Sequence, residues 1–259
     1  MAVCHHRLEL TGPAGDPESR IHRLDPRAKV LGFLAVTLVA VSAPLALWPV
    51  HVACVAVLAA VAALARVPPR TIWGRARPIL LLVGLVAILL PFVRRGGPAH
   101  ALGPLTVHEA GLAVLGTVVI KALVGTLSAI VLAATTAFPA VLRALEALRV
   151  PRLLVLVAGL MYRYLFVVVE EVARMRAGLA ARGYRPRSAF GAGALGRLAA
   201  ALFLRTYGRG ERVHRAMLSR GYAGSMPAAA PLSFGRLDAV FLTAVLALLV
   251  PLRVAGALL

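Results

Sequence analysis

Apolar runs too long for a water-soluble core set the terms for this chain. A helix needs roughly 20 apolar residues to cross the hydrocarbon of a bilayer, with about 17 as the lower bound. Five stretches reach or approach that length: Lys29 to Trp48, Val50 to Ala65, Pro78 to Val93, Ala110 to Phe138 and Ala239 to Val250. Hydrophobic residues make up 60% of the 259, more apolar surface than one soluble domain can hide, so lipid must cover the rest. The runs predict an all-α integral membrane protein with about five transmembrane helices. Pro49 beside Trp48 predicts an interfacial turn between the first two. The third run is short and follows Arg66, Arg70, Arg75 and Arg77; a Gly/Pro-rich loop with Arg94 and Arg95 precedes the fourth; the last extends weakly past Pro251 and Arg253.

The charge balance fixes a direction. Lys and Arg total 29 against 10 Asp and Glu, a formal net charge of +19. A nucleic-acid-binding protein would spread such charge over a hydrophilic fold with aromatics between; here the basic residues lie between apolar runs, which argues against nucleic acid. With the N-terminus inside, the Arg7 to Arg27 leader, the Arg66 to Arg77 loop and the Arg143 to Arg236 region all become cytoplasmic, and only Arg94, Arg95 and Arg253 fall outside. That is the positive-inside pattern, and it predicts a multi-pass cell-membrane protein with a cytoplasmic N-terminus. Cys4 and Cys54 are too few and too differently placed for a disulfide framework. Met1 to Leu24 lacks an apolar h-region, so the first span is expected to direct insertion itself.

The stretch from Pro139 to Arg236 differs in kind, with sixteen arginines, each costing about 2.5 to 3.5 kcal/mol at a bilayer centre. It reads as an Arg-rich cytoplasmic coupling module of amphipathic helices: Val172, Met175 and Leu179 share one helical face, and Val213, Ala216 and Met217 another. Leu153 to Val169, almost purely apolar around Arg163, is compatible with a place in the membrane or at its edge. The expected organisation is a leader at 1–28, transmembrane helices one to four at 29–138, coupling helices at 139–236 and a last transmembrane helix at 237–259.

Within that module two segments resemble each other, Glu171 to Tyr184 (EVARMRAGLAARGY) and Glu211 to Tyr222 (ERVHRAMLSRGY). Each reads as a helix closed by a glycine, which adopts the left-handed conformation without strain. Arg182 or Arg220 is then held at the tip, where a planar, permanently charged fork suits bidentate pairing with a partner's carboxylate. The plain alternative is a pair of ordinary C-caps whose arginines complement the helix dipole. Two copies favour paired docking points, hence two partner sites, as a dimer of nucleotide-binding subunits would offer.

These segments, with Leu24-Asp25-Pro26-Arg27-Ala28-Lys29, Met161-Tyr162-Arg163-Tyr164-Leu165, Glu170-Glu171, Arg174-Met175 and Arg215-Ala216-Met217, carry a resemblance over nearly the whole chain. It resembles the T component of energy-coupling factor transporters, in the CbiQ cobalt-type branch. The resemblance implies that Ala181-Arg182-Gly183 and Ser219-Arg220-Gly221 are the ATPase-coupling motifs, with Ser219 standing where alanine is commonest. It implies Arg163, Glu170, Glu171 and Glu211 as support for the module. It also implies two ABC-type ATPase subunits that bind ATP and Mg, a separate substrate-capture membrane subunit that binds cobalt or nickel, and no cofactor or metal on this chain. A T component for nickel or a vitamin is the nearest alternative. A membrane-bound enzyme whose basic cytoplasmic face takes an anionic substrate is the alternative of another class, and it needs convergent catalytic side chains that the sequence does not supply.

Other features read more locally. Asp25 can cap a helix that starts at Pro26, with Arg27 and Lys29 anchoring that start at the headgroups. His5 and His6 beside Cys4 are three donors without a fourth ligand, which argues against a metal site. Lys121 lies within the fourth run, where pairing inside the bundle is favoured over ion conduction. Gly125, Ala129, Ala133 and Ala137 recur every four residues, a small-residue face for a neighbouring span or the substrate-capture subunit. No glycine loop with Lys and Ser/Thr cradles phosphate, so ATP hydrolysis is assigned to a partner. Glu170 and Glu171, about 100° apart on a helix, do not converge as an acid and base, and pairing with Arg163, Arg174 or the helix start is expected.

Overall fold

A helix that is apolar on every side needs protein on one face and lipid on the other, and the first helix is built so. In the computed structural model, which describes residues 19, 21–87, 89–90, 99–102, 105–184, 192–224 and 234–258, α1 (Pro26–Ser42) buries Gly32, Phe33, Val36 and Ala40. Its Leu34, Leu38 and Val41 stay exposed. Helix α2 (Trp48–Leu64) and helix α3 (Pro69–Ala87) follow. A short antiparallel hairpin of β1 (Ala99–Leu102) and β2 (Leu105–His108) stands where the sequence reads as loop, with Ala99 opposite His108. Then come α4 (Glu109–Thr135), α5 (Phe138–Ala147), α6 (Arg152–Ala181), α7 (Ala192–Ser219) and α8 (Arg236–Leu258). Apart from that hairpin the regular elements among the described residues are all helical.

The chain divides into two compact units, one of Met1–Ala144 with Leu232–Leu259, the other of Leu145–Pro231. In the first, α1 packs against α2, α4 and α8, while α2 also meets α4 and α8, and α3 meets α4. Phe33, Val36, Cys54, Leu58, Val124, Val131, Val245 and Leu249 form its core. Gly32 lets α8 come close: a Cβ there would stand 2.7 Å from the Phe241 ring. In the second unit α6 packs on α7, and α6 has no buried residue.

Several boundaries differ from those expected. The first run stops at Ser42, and the turn spans Ala43 to Leu47 around Pro44; Pro49 instead lies in the first turn of α2, where its missing N–H is no loss. The third helix starts at Pro69 and runs through Pro78 to Ala87, while Arg94, Arg95 and the end of the Pro78–Val93 run lie outside the described residues. The last helix continues through Pro251 to Leu258.

Among the described residues three helices are long and apolar enough to cross a membrane, over Gly111–Thr135, Arg152–Ala181 and Arg236–Val254. The second contains the segment that hydropathy left open. Helices α1 and α2, at 17 residues each, rise only about 25 Å against a hydrocarbon core of roughly 30 Å, and α3 carries Arg70, Arg75 and Arg77 in its first half. The exposed Leu81, Leu82 and Leu85 on α3, with Val240, Leu246 and Leu248 on α8, make the surface of a multi-pass membrane protein.

Candidate functional site

Helices α6 and α7 run antiparallel. Glu171 on α6 pairs with Arg205 on α7, Leu153 and Tyr222 line one end of the pair, and Arg182 and Ala194 line the other. The C-terminal tips of the two helices therefore lie at opposite ends of this hairpin, whose longer helix of 30 residues measures about 45 Å.

Each tip closes with the same geometry. At the end of α6 the Tyr184 N–H donates to the Leu179 carbonyl at 3.1 Å and the Gly183 N–H to Ala180 at 3.0 Å. At the end of α7 the Tyr222 N–H donates to Met217 and the Gly221 N–H to Leu218, both at 3.0 Å. These are the paired bonds of the Schellman motif, with Gly183 at φ 76° and Gly221 at φ 79°. A Cβ at either glycine would meet nothing within 4 Å, so the demand for glycine is conformational and not one of packing. Arg66 (φ 51°) and Arg149 (φ 65°) hold the same left-handed position after α2 and α5, without glycine's freedom. Ala181, Arg182, Gly183, Ser219, Arg220 and Gly221 are all exposed.

The surroundings of the two tips differ. Arg182 lines a cleft of about 640 Å³ together with Arg174, Arg197, Arg205 and Glu171, four guanidinium groups to one carboxylate. Glu171 bonds Arg174 at 2.8 Å, and Glu170 stands 3.6 Å from the same guanidinium. Glu211 pairs with Arg215 one turn on, at 3.5 Å, and Arg163 is exposed. Water screens pairs of this kind, so they orient side chains more than they stabilise the hairpin. At the other tip Met217 and Tyr222 border an apolar groove.

In the first unit, Asp25 caps α1 by accepting the Arg27 N–H at 2.8 Å, with Pro26 opening the helix. Lys29 does not reach out to headgroups. It is 2% exposed, and its Nζ donates at 3.1 Å to the carbonyls of His22 and Thr135, the latter the last residue of α4. The ammonium thus meets the negative end of a 27-residue helix. Asp238, which sequence reading passed over, is 5% exposed; its Oδ1 accepts the Asp25 N–H at 2.7 Å and its Oδ2 the Gly235 N–H at 2.8 Å. The available signal was an acid in the first turn of the last apolar helix.

Lys121 mirrors Lys29. Its Nζ donates at 2.6 Å to the Val41 carbonyl in the last turn of α1, beside Arg253, which reaches the Ser42 carbonyl at 3.2 Å. Of the small-residue stripe, Ala129, Ala133 and Ala137 are exposed, and a Cβ on Gly125 would meet nothing within 4 Å, so within the first unit no described helix covers it. Among the described residues no group of three or more His, Cys, Asp or Glu side chains converges to hold a metal ion. Cys4, His5 and His6 lie outside the described residues.

Residues 17–229 match the model of a family described as CbiQ, cobalt transport protein. A Bifidobacterium longum protein named as an ABC transporter ATP-binding protein is 34% identical over 194 residues, covering 70% of this chain and 24% of that protein. One from Methanocorpusculum labreanum, named as a fused cobalt transport protein CbiMQ, is 29% identical over 221 residues, 80% of this chain and 36% of the relative. An uncharacterized Methanocaldococcus jannaschii protein is 34% identical over 118 residues, 46% of this chain and 42% of its own. The chain therefore spans about a quarter to two fifths of the length of these curated relatives.

Proposed function

This chain belongs to the CbiQ family of cobalt transport proteins, and we propose that within it the chain is the transmembrane coupling subunit of an energy-coupling factor importer. Its task is to convert closure of a pair of ABC-type ATPase subunits into movement of a separate substrate-capture membrane subunit, with cobalt as the cargo. ATP and Mg belong to the ATPases. The observation that carries this reading is the pair of exposed arginines, Arg182 and Arg220, each set by a left-handed glycine at opposite ends of one hairpin. Two rigid cationic tips about 45 Å apart suit two acidic recesses on a dimer better than one small ligand. The names of two relatives, one for an ATP-binding protein and one for a fused cobalt transport protein, support the same partners.

The positive-inside pattern orients the N-terminus and the arginine-rich hairpin tips toward the cytoplasm, where ATPases reside. The stripe from Gly125 to Ala137, left uncovered by the described helices of its own unit, is assigned to the substrate-capture subunit. Changing Arg182 and Arg220 together to Glu should leave insertion and helix content intact while abolishing co-purification of the ATPases and uptake of cobalt. Full ATPase association with normal uptake in the double variant contradicts the proposal.

A further inference from the structure

Arg182 does not stand alone at its end of the hairpin. The cleft beside it is walled on α6 by Glu171, Arg174 and Arg182 and on α7 by Arg197 and Arg205. The Glu171 side chain is 13% exposed, and Arg174 of its own helix and Arg205 of the other both pair with it. Arg182 and Arg197 are exposed and make no ion pair among the described residues. The Arg197 guanidinium folds back over the start of α7, its Nη1 4.0 Å from where a Cβ on Gly193 would stand. It therefore lies at the end of α7 that meets the α6 tip.

Four guanidinium groups around one carboxylate repel one another, and the hairpin holds little to offset them. Glu171 is already shared by two arginines, Glu170 faces Arg174, and Glu211, the only other acid between residues 152 and 236, pairs with Arg215. The missing counter-charge has to come from outside the hairpin. Arg220 lines neither this cleft nor the groove that Met217 and Tyr222 border, so the two tips are not equivalent. We propose that the cleft receives an acidic segment of one ATPase subunit, its carboxylates on Arg182 and Arg197, and that the tips dock by different chemistry: a multivalent ionic contact at the end of α6, a single arginine at the end of α7. This rests on the reading above, in which both tips meet an ATPase pair. The cleft already grips a carboxylate between guanidinium groups of both helices, the ion that planar forks suit. An occupant of the cleft also touches Arg182 itself, which selects the protein that carries the acids.

The test uses the full chain purified in lipid-free detergent and the ATPase subunits of the same transporter, with affinity measured by interferometry at about 50 mM and about 500 mM salt. Wild-type affinity should fall about thirtyfold across that range. Arg197→Ala, at an exposed helical position that suits alanine, should weaken binding about fivefold at low salt and cut the fall to below about tenfold. Arg197→Lys should keep the wild-type salt dependence, since the charge stays. Arg220→Ala should weaken binding equally at both salt concentrations. Wild-type affinity and salt dependence in Arg197→Ala overturn this inference and leave the proposed function standing, whereas undiminished association of the Arg182→Glu, Arg220→Glu double variant removes both. Loss of salt dependence in Arg220→Ala to the same extent as in Arg197→Ala contradicts the difference between the tips. A gap between wild type and Arg197→Ala that opens only when phosphatidylglycerol is added gives the cleft to lipid phosphate and also overturns the inference.

Discussion

Lys29, Asp25 and Asp238 place a cation and two carboxylates under cover, with exposures of 2%, 5% and 5%, which ties the starts of α1 and α8 to the end of α4. Removing one member of such a buried set leaves its partners' charges without compensation. Lys29→Met should destabilise the protein by about 3 kcal/mol, read as a fall in the thermal midpoint in detergent. Combined with Asp238→Asn, the loss should be smaller than the sum of the singles by about 1 kcal/mol or more; strict additivity contradicts the coupling. The pairing of these groups was not legible in the sequence, because the partners lie far along the chain: Thr135 is 106 residues from Lys29 and Asp238 is 213 from Asp25. The Asp25 cap was legible for the opposite reason, since its acceptor and donor are two residues apart.

At the scale of elements, the tips of α6 and α7 depend on backbone conformation that a substitution can reach directly. Gly183→Ala or Gly221→Ala forces a Cβ into the left-handed region, at about 1–2 kcal/mol each, and should fray the last turn and let the neighbouring arginine wander. Faster amide exchange at Tyr184 or Tyr222 is the readout, as those N–H groups make the capping bonds; unchanged exchange would mean that glycine is not required. Arg149→Gly should do the reverse at the end of α5, gaining up to about 1 kcal/mol. The sequence disclosed the Gly-closed ends because a Schellman cap is local, needing six residues and one glycine. It concealed the turn between α1 and α2, since Pro44 and Pro49 are both plausible breakers, and only packing decides which one ends a helix and which one starts the next.

Among the described residues the chain joins a bundle with a shared core to a hairpin with none. Helix α6 buries no residue of its own, so α6 and α7 should exchange amides faster than α1, α2 and α4 in the isolated chain and, under the proposed function, become protected once ATPase subunits bind. Equal protection in the isolated chain would show the hairpin to be self-sufficient. Orientation has its own test: a fluorescent protein fused before residue 1 should glow and an alkaline phosphatase there should stay inactive, as a cytoplasmic N-terminus requires; the opposite pair of results inverts the topology.

The chain contains only two lysines, Lys29 and Lys121, and both donate to main-chain carbonyls at the ends of neighbouring helices. Amine-directed cross-linkers applied to any complex that holds this chain would find almost nothing on it and would map only its neighbours. Guanidine-directed dicarbonyl reagents would write the opposite map, marking its outer surface while leaving the two ammonium fasteners untouched.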